Sequence, residues 1–269
     1  MILTDLHCHT KYSHDSKSEP VEVIKSAIDK GVNVLALTDH MDIDCADYGM
    51  NLTFDIQARK NEILELKERF KSSIKVIYGI ELGQPYNAPE LAESVIKNGD
   101  FEFVIGSVHN LKDMPDFAFI NYSKFDMTNE SYIGLADNLY RRYLDDIYKT
   151  TEIAYIDTIA HCTYPCRYMK AGGIDFDLKP YYYTYEKIFK NIVKNGKMLE
   201  INTSNIRRGY GFMMPDADIL QIYKDCGGKY VTLGADAHRT HEVGADINLG
   251  YDLAKSLGLE IYTEINEKY

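Results

Sequence analysis

Tryptophan is absent from this chain of 269 residues, cysteine and proline are scarce (5 and 7), and no apolar run is long. Each shortage excludes something. The longest apolar stretch, Val32 to Leu37, falls far below the roughly 20 residues that a membrane-spanning helix needs. The opening MILTDLHCHT lacks the basic segment followed by an apolar one that marks a secretion signal. A soluble, cytoplasmic protein without a membrane partner is therefore expected. The cysteines, Cys8, Cys45, Cys162, Cys166 and Cys226, are odd in number and scattered, which suits reduced thiols better than a disulfide framework. Cys162 and Cys166 have no second pair nearby, which speaks against a structural zinc knot. Clustered Lys and Arg are missing too, and a formal charge of −11 argues against a nucleic-acid partner, whose phosphates demand many cationic contacts.

What is present is an apolar fraction of 45%, enough to bury a substantial core, so disorder is not expected. Tyrosine is abundant at 22 residues, and clusters such as Tyr181, Tyr182, Tyr183 and Tyr185 read as packing and rim residues. Seven short apolar runs read as strands: ILTDLH, VNVLALTD, IKVIYGIEL, FEFVIGSVH, YIDTIAH, GKMLEINTS and GKYVTLGADAH. Between them helical periodicity predicts helices over Pro20 to Lys30, Ile56 to Lys71, Pro89 to Asn98, Ile133 to Thr150, Pro180 to Asn195 and Ala217 to Cys226. A βα repeat with no linker-like break implies an α/β fold with a parallel sheet, in one domain over residues 1–269. The strand count favours a barrel over an open doubly wound sheet.

The ligand-type residues fall in a pattern. His7 and His9, Asp39 and His40, Glu81, His109, His161, Asn202, and Asp236 with His238 all lie at the carboxyl ends of these strands, where parallel α/β folds bind ligands. Side chains two apart on a strand point the same way, so His7/His9 and Asp236/His238 form two chelating pairs while Cys8 and Ala237 face away. A lone histidine at a strand end is usually a hydrogen-bonded structural residue. Six of the eight histidines at one rim are not explained so easily. Mixed His and carboxylate ligation without a cysteine cluster suits Zn, Mn or Fe in a catalytic site with open positions.

DLHCHT with Ser13 and Asp15 behind it, LTDH, GIEL, GSVH, the IAH around His161 and GADAH resemble, in content and order, the polymerase and histidinol phosphatase (PHP) superfamily of metallohydrolases. The resemblance spans essentially the whole chain. GSVH and EINTS followed by Arg207 look like its stand-alone histidinol-phosphate phosphatases, which implies a distorted (β/α)7 barrel. By position, the resemblance implies two to three divalent ions: one on His7, His9, Glu81 and Asp236, a second on Glu81, His109 and His161, and a third on Asp15, His40 and His238. Many members have His where Asp15 stands, and this chain has His14 one place earlier; Asp15 is favoured by alignment. His7, His9, Glu81, Asp236 and His238 form the implied catalytic set. Asp39, Asp5 and Asn202 read as residues orienting ligands. His241 reads as a surface histidine.

A phosphate monoester carries nearly two negative charges and repels hydroxide, so clustered metals that neutralise the oxygens and activate water are expected. Arginine is the expected side-chain clamp, and Arg167 and Arg207 lie on loops after the fifth and sixth strands, with Arg208 adjacent. The implied reaction is hydrolysis of L-histidinol phosphate. For its amine and imidazole, Asp42, Asp44 and Asp47, the stretch Gln84 to Asn87 with Tyr86, and Asp113 to Phe119 are the candidate recognition segments. The rival expectations are another small phosphomonoester, a nucleotide or phosphotyrosine as substrate, a nuclease, which the acidic charge disfavours, and a non-catalytic metal-stabilised module.

Overall fold

Ten strands and nine α-helices make up the described part of the chain, residues 2–45, 50–52 and 54–263 of a computed structural model. The strands are β1 (Thr4–Cys8), β2 (Val34–Leu37), β3 (His40–Cys45), β4 (Met50–Leu52), β5 (Lys75–Gly83), β6 (Phe103–Ser107), β7 (Thr158–Ile159), β8 (Met198–Asn202), β9 (Tyr230–Gly234) and β10 (Glu260–Ile261). The helices are α1 (Pro20–Asp29), α2 (Ile56–Phe70), α3 (Pro89–Gly99), α4 (Glu130–Thr151), α5 (Tyr164–Ala171), α6 (Tyr182–Lys194), α7 (Ser204–Arg207), α8 (Ala217–Asp225) and α9 (Ile247–Ser256).

Helix starts follow from local chemistry. Pro20 opens α1 and Pro89 opens α3, where a missing N–H costs nothing, while Asp55, Asn129 and Asp216 cap α2, α4 and α8 by accepting from backbone N–H groups. In α6, Tyr185, Ile188, Phe189 and Ile192 recur at helical spacing and form the buried stripe.

All seven expected strands form, and they run parallel in the order β1-β2-β5-β6-β7-β8-β9, with β10 added in parallel beyond β9. β2 and β3 behave as one strand interrupted at Thr38 and Asp39: β2 pairs with the first half of the long β5, and β3 with its second half, setting His40 beside Glu81. The hairpin partner β4, the strand β10 and the helices α5, α7 and α9 were not anticipated, because pieces this short or polar carry little periodicity.

The result is a distorted (β/α)7 barrel. Its interior holds Leu6, Val34, Ala36, Ile77, Phe103, Ile105 and Ala160, while a larger apolar layer fills the space between sheet and helices. The distortion is at the seam. β10 pairs with the first two residues of β9, whereas β1 meets the chain after β9 only at the rim, through a Cys8–Ala237 bridge and bonds from Asp236 N to His7 O (2.8 Å) and His9 N to Ala237 O (2.9 Å). The barrel thus closes at the rim where the expected ligands His7, His9 and Asp236 lie.

Candidate metal and active site

A β-bulge puts the first histidine in place. Between Asp5 and Cys8 the register of β1 against β2 slips, so that Leu6 packs in the barrel interior, Cys8 packs in the outer layer, and His7 turns into the rim. Re-aiming a side chain is what bulges do near functional sites. Asp5 therefore does not share a face with His7, although it stands two places before it in β1. Its carboxylate accepts from Ala235 N (2.9 Å), Gly244 N (2.7 Å) and Cys8 Sγ (3.1 Å), tying the first strand to the last loop.

Glu81, fully buried, stands at the centre. Its Oε2 lies 3.1 Å from His7 Nε2, 2.9 Å from His40 Nδ1 and 3.6 Å from His9 Nε2, and its Oε1 lies 3.1 Å from His109 Nε2 and 3.0 Å from His161 Nε2. His9 Nε2 is also 3.5 Å from Asp236 Oδ1. At the outer side, His238 Nε2 lies 2.9 Å from Asp15 Oδ2 and 3.4 Å from His40 Nε2, and Asp15 Oδ2 is 3.9 Å from His40 Nε2. All nine expected ligands thus converge, and Asp15, not His14, reaches both outer histidines; the exposed His14 ring packs 5.5 Å from that of His40. His241 is exposed, as expected. Asp236 (φ 53°) and His161 (φ 23°) adopt positive φ, a conformation that non-glycine residues hold chiefly where the surroundings impose it.

The donor set fits divalent cations. His7 Nδ1 is 2.6 Å from Glu200 Oε1 and His109 Nδ1 is 2.9 Å from Asp42 Oδ1, contacts that call for N–H at those positions and leave Nε2 of each ring as a lone pair facing Glu81. Lone pair then meets lone pair, and a cation resolves the conflict. Glu81 Oε2 and the inward nitrogens His7 Nε2, His9 Nε2 and His40 Nδ1 are buried without a hydrogen-bond partner.

The electrostatics draw positive charge to Glu81, and with no ion bound, protons on the surrounding imidazoles take that part. Burial and the neighbouring imidazoles of His238 and His40 push His9 down to about 3, leaving it neutral. Burial alone would raise Glu81, but His40, His7 and His109 outweigh it and hold the carboxyl well below its usual range. His7 is opposed by burial yet held well above the imidazole range by Glu200 and Glu81.

Two orienting carboxylates went unread in the sequence. Glu200 serves His7 and also accepts from His161 N (2.8 Å) and Asn202 Nδ2 (3.2 Å); an acid inside the apolar strand GKMLEINTS was the available signal. Asp42, expected to recognise substrate, is instead buried against His109. Gln84 likewise turns inward, accepting from His109 N (2.7 Å). Tyr86 packs under Lys149 of α4, away from the cleft. Asp116 is reached by Tyr164 Oη (3.1 Å), with burial raising its carboxyl to about 6. Asp47 lies outside the described residues.

Above the histidines opens a cleft of about 640 Å³ whose walls include Tyr164, Arg167, Tyr168, Arg207 and Arg208. Arg167 is buried in its side, over the rings of Tyr164 and Tyr168, with Nε donating to Asn205 Oδ1 (2.7 Å) and Nη2 to Ser204 Oγ and to Asp236 Oδ2 (3.4 Å). Both arginines were expected on loops, but Arg167 stands in α5 and Arg207 ends the short helix α7; the two terminal nitrogens of Arg207 donate to the backbone carbonyls of Ala235 and Asp236, bracing the segment that carries Asp236.

A barrel whose carboxyl rim gathers six imidazoles, five of them facing one buried carboxylate, defines a metallohydrolase-type barrel. The model of the PHP domain family matches residues 5–204, and the chain belongs to that family. Similar proteins include the "Histidinol-phosphatase" of Lactococcus lactis, 26% identical with 94% of this chain and 91% of the relative covered, and the "Probable histidinol-phosphatase" of Thermotoga maritima, 28% identical over 91% and 88%. The fold is shared, at a TM-score of 0.80 and 23% identity over 98% of this chain and 97% of the other, with the crystal structure of histidinol phosphate phosphatase from Lactococcus lactis complexed with zinc, L-histidinol and phosphate.

Proposed function

We propose that this chain is a metal-dependent phosphomonoesterase that hydrolyses L-histidinol phosphate to L-histidinol and phosphate, a cytoplasmic step of histidine synthesis. The observation that carries the chemistry is Glu81, whose two oxygens face five imidazole nitrogens that are otherwise free to ligate. The relatives' names support the substrate.

In this reading His7, His9, Glu81 and Asp236 hold one ion, Glu81, His109 and His161 a second, and Asp15, His40 and His238 a third, Zn, Mn or Fe. Bound there, divalent ions offset the phosphoryl charge and lower the pKa of water. Glu200 and Asp42 keep His7 and His109 in the ligating tautomer. Arg167 and Arg207 line the cleft wall, where the N–H groups not already given to Asn205, Ser204, Asp236 and the Ala235 carbonyl would meet phosphate oxygens, and their fixed partners mean that little rotamer freedom is lost when the phosphate arrives. Among the described residues no helix is long and apolar enough to cross a membrane.

A panel of phosphomonoesters tests the substrate. The value of kcat/KM for histidinol phosphate should exceed that for p-nitrophenyl phosphate by orders of magnitude, because only the cognate leaving group lends remote binding energy to the transition state. Comparable rates on nucleotides, phosphotyrosine peptide and histidinol phosphate would leave the phosphatase and reject the substrate. No turnover of any ester by the metal-loaded protein would leave a metal-stabilised module.

A further inference from the structure

One buried chain of hydrogen bonds runs from helix α2 to the metal rim. Arg59, with no exposed surface, lies between the rings of Phe54 and Tyr78 at 5.1 and 5.0 Å. Its Nε donates to Asp39 Oδ2 at 2.7 Å and its Nη2 to Leu37 O at 2.8 Å. Asp39 also accepts from the backbone N–H and, at 2.9 Å, the hydroxyl of Thr10. Ser13 Oγ lies 3.0 Å from Asp39 Oδ1, 3.0 Å from His9 Nδ1 and 3.0 Å from the backbone nitrogen of His40.

The proton inventory of Ser13 settles the direction of each bond. A hydroxyl has one proton to donate and two lone pairs to accept with. The carboxylate of Asp39 receives donors on both oxygens and is an acceptor, so the Ser13 proton goes to it. The His40 amide can only donate, and it takes one lone pair. The remaining lone pair faces His9 Nδ1, which must therefore carry the proton, leaving His9 Nε2 as the bare nitrogen directed at Asp236 and Glu81. Were the Ser13 hydroxyl turned toward His9, the imidazole would be protonated on Nε2 and present no lone pair to a metal.

We propose that Arg59, Asp39 and Ser13 form a positioning relay that selects the ligating tautomer of His9 and pins the backbone of His40, so that one buried arginine outside the site serves two metal positions at once. The proposal rests on the reading of His9 and His40 as metal ligands. Arg59 orients the carboxylate, the carboxylate orients the serine proton, and the serine orients the imidazole. None of the three touches a metal position, which makes them positioning residues, separate from Glu200 and Asp42, which act on His7 and His109.

The test is zinc binding to the metal-free full chain, wild type against Ser13→Ala, Ser13→Thr and Arg59→Met, with folding checked by circular dichroism. Side-chain ¹⁵N NMR of the metal-free proteins reads the His9 tautomer directly. In Ser13→Ala the zinc affinity of the positions containing His9 and His40 should fall roughly 10–100-fold, the range for removal of a group that orients a ligand, while the ion on Glu81, His109 and His161 stays. His9 should lose its predominant Nδ1–H signature. Ser13→Thr keeps a hydroxyl and should restore both, and Arg59→Met should repeat the loss in part. Ser13→Ala with wild-type affinity and an unchanged His9 signature overturns the relay while leaving the metal site standing. A wild-type chain that takes up no zinc overturns the site and the relay together, so the two failures are told apart.

Discussion

Adding one methyl group at Gly83 should disable the site without replacing any of the proposed ligands. Gly83 ends β5, two residues after Glu81, and pairs with Asp42 of β3. Its φ is not positive, so alanine is conformationally acceptable there and only space decides. A Cβ would stand 1.8 Å from Asp42 Oδ1, 3.0 Å from Asp42 Cγ and 3.3 Å from His109 Nδ1. Oδ1 is the atom that holds His109 at 2.9 Å, so the carboxylate must swing away and release the imidazole. Losing such an orienting partner costs on the order of 10–100-fold in metal affinity or activity, about 1.4–2.8 kcal/mol. Overpacking adds roughly 1–3 kcal/mol of instability. The assay is kcat/KM and zinc content of folded Gly83→Ala, Asp42→Ala and the double variant. In the double variant the clashing carboxylate is gone, so its loss should match that of Asp42→Ala alone and fall well short of the sum of the two single losses. Wild-type kinetics in Gly83→Ala, or fully additive losses, would refute the role given to Asp42.

Three further outcomes are expected. A chelator should abolish hydrolysis, with Zn, Mn or Fe restoring it and elemental analysis giving two to three ions per chain; one closed, cysteine-containing zinc would refute the rim site. Because Glu81 faces five imidazoles and His40 serves one position, Glu81→Ala should lose more activity than His40→Ala in folded, metal-analysed enzymes, and equal small losses would argue against bridging. Arg167→Ala and Arg207→Ala should each lower kcat/KM by about 1.5–3 kcal/mol, the range for a charge-assisted hydrogen bond. Arg207→Ala should also weaken metal retention, since it braces the Ala235–Asp236 backbone; silent variants at both would remove the clamp from these arginines.

The sequence by itself determined the barrel and the ligand rim. Short apolar runs followed by helical ones are local patterns, and a ligand-type residue at the end of every strand needs only the rule that parallel strands share one carboxyl end. What partners those ligands was beyond it. The relation of His7 to Glu200 joins residues far apart in the chain, and that of His109 to Asp42 depends on the register of β3 against β5. Alternation also misplaced Asp5, because a bulge in β1 is set by packing against β2 and by closure against the chain after β9. The same limit explains Arg207: it was expected to clamp phosphate from a loop, and only the folded chain shows it ending α7 with its donors spent partly on the carbonyls of Ala235 and Asp236. Local pattern decides which residues reach the rim, because each strand carries its own; the tertiary structure decides which nitrogen each presents, because the protons of His7 and His109 are placed by carboxylates from other strands and that of His9 by a serine held by Asp39 and Arg59.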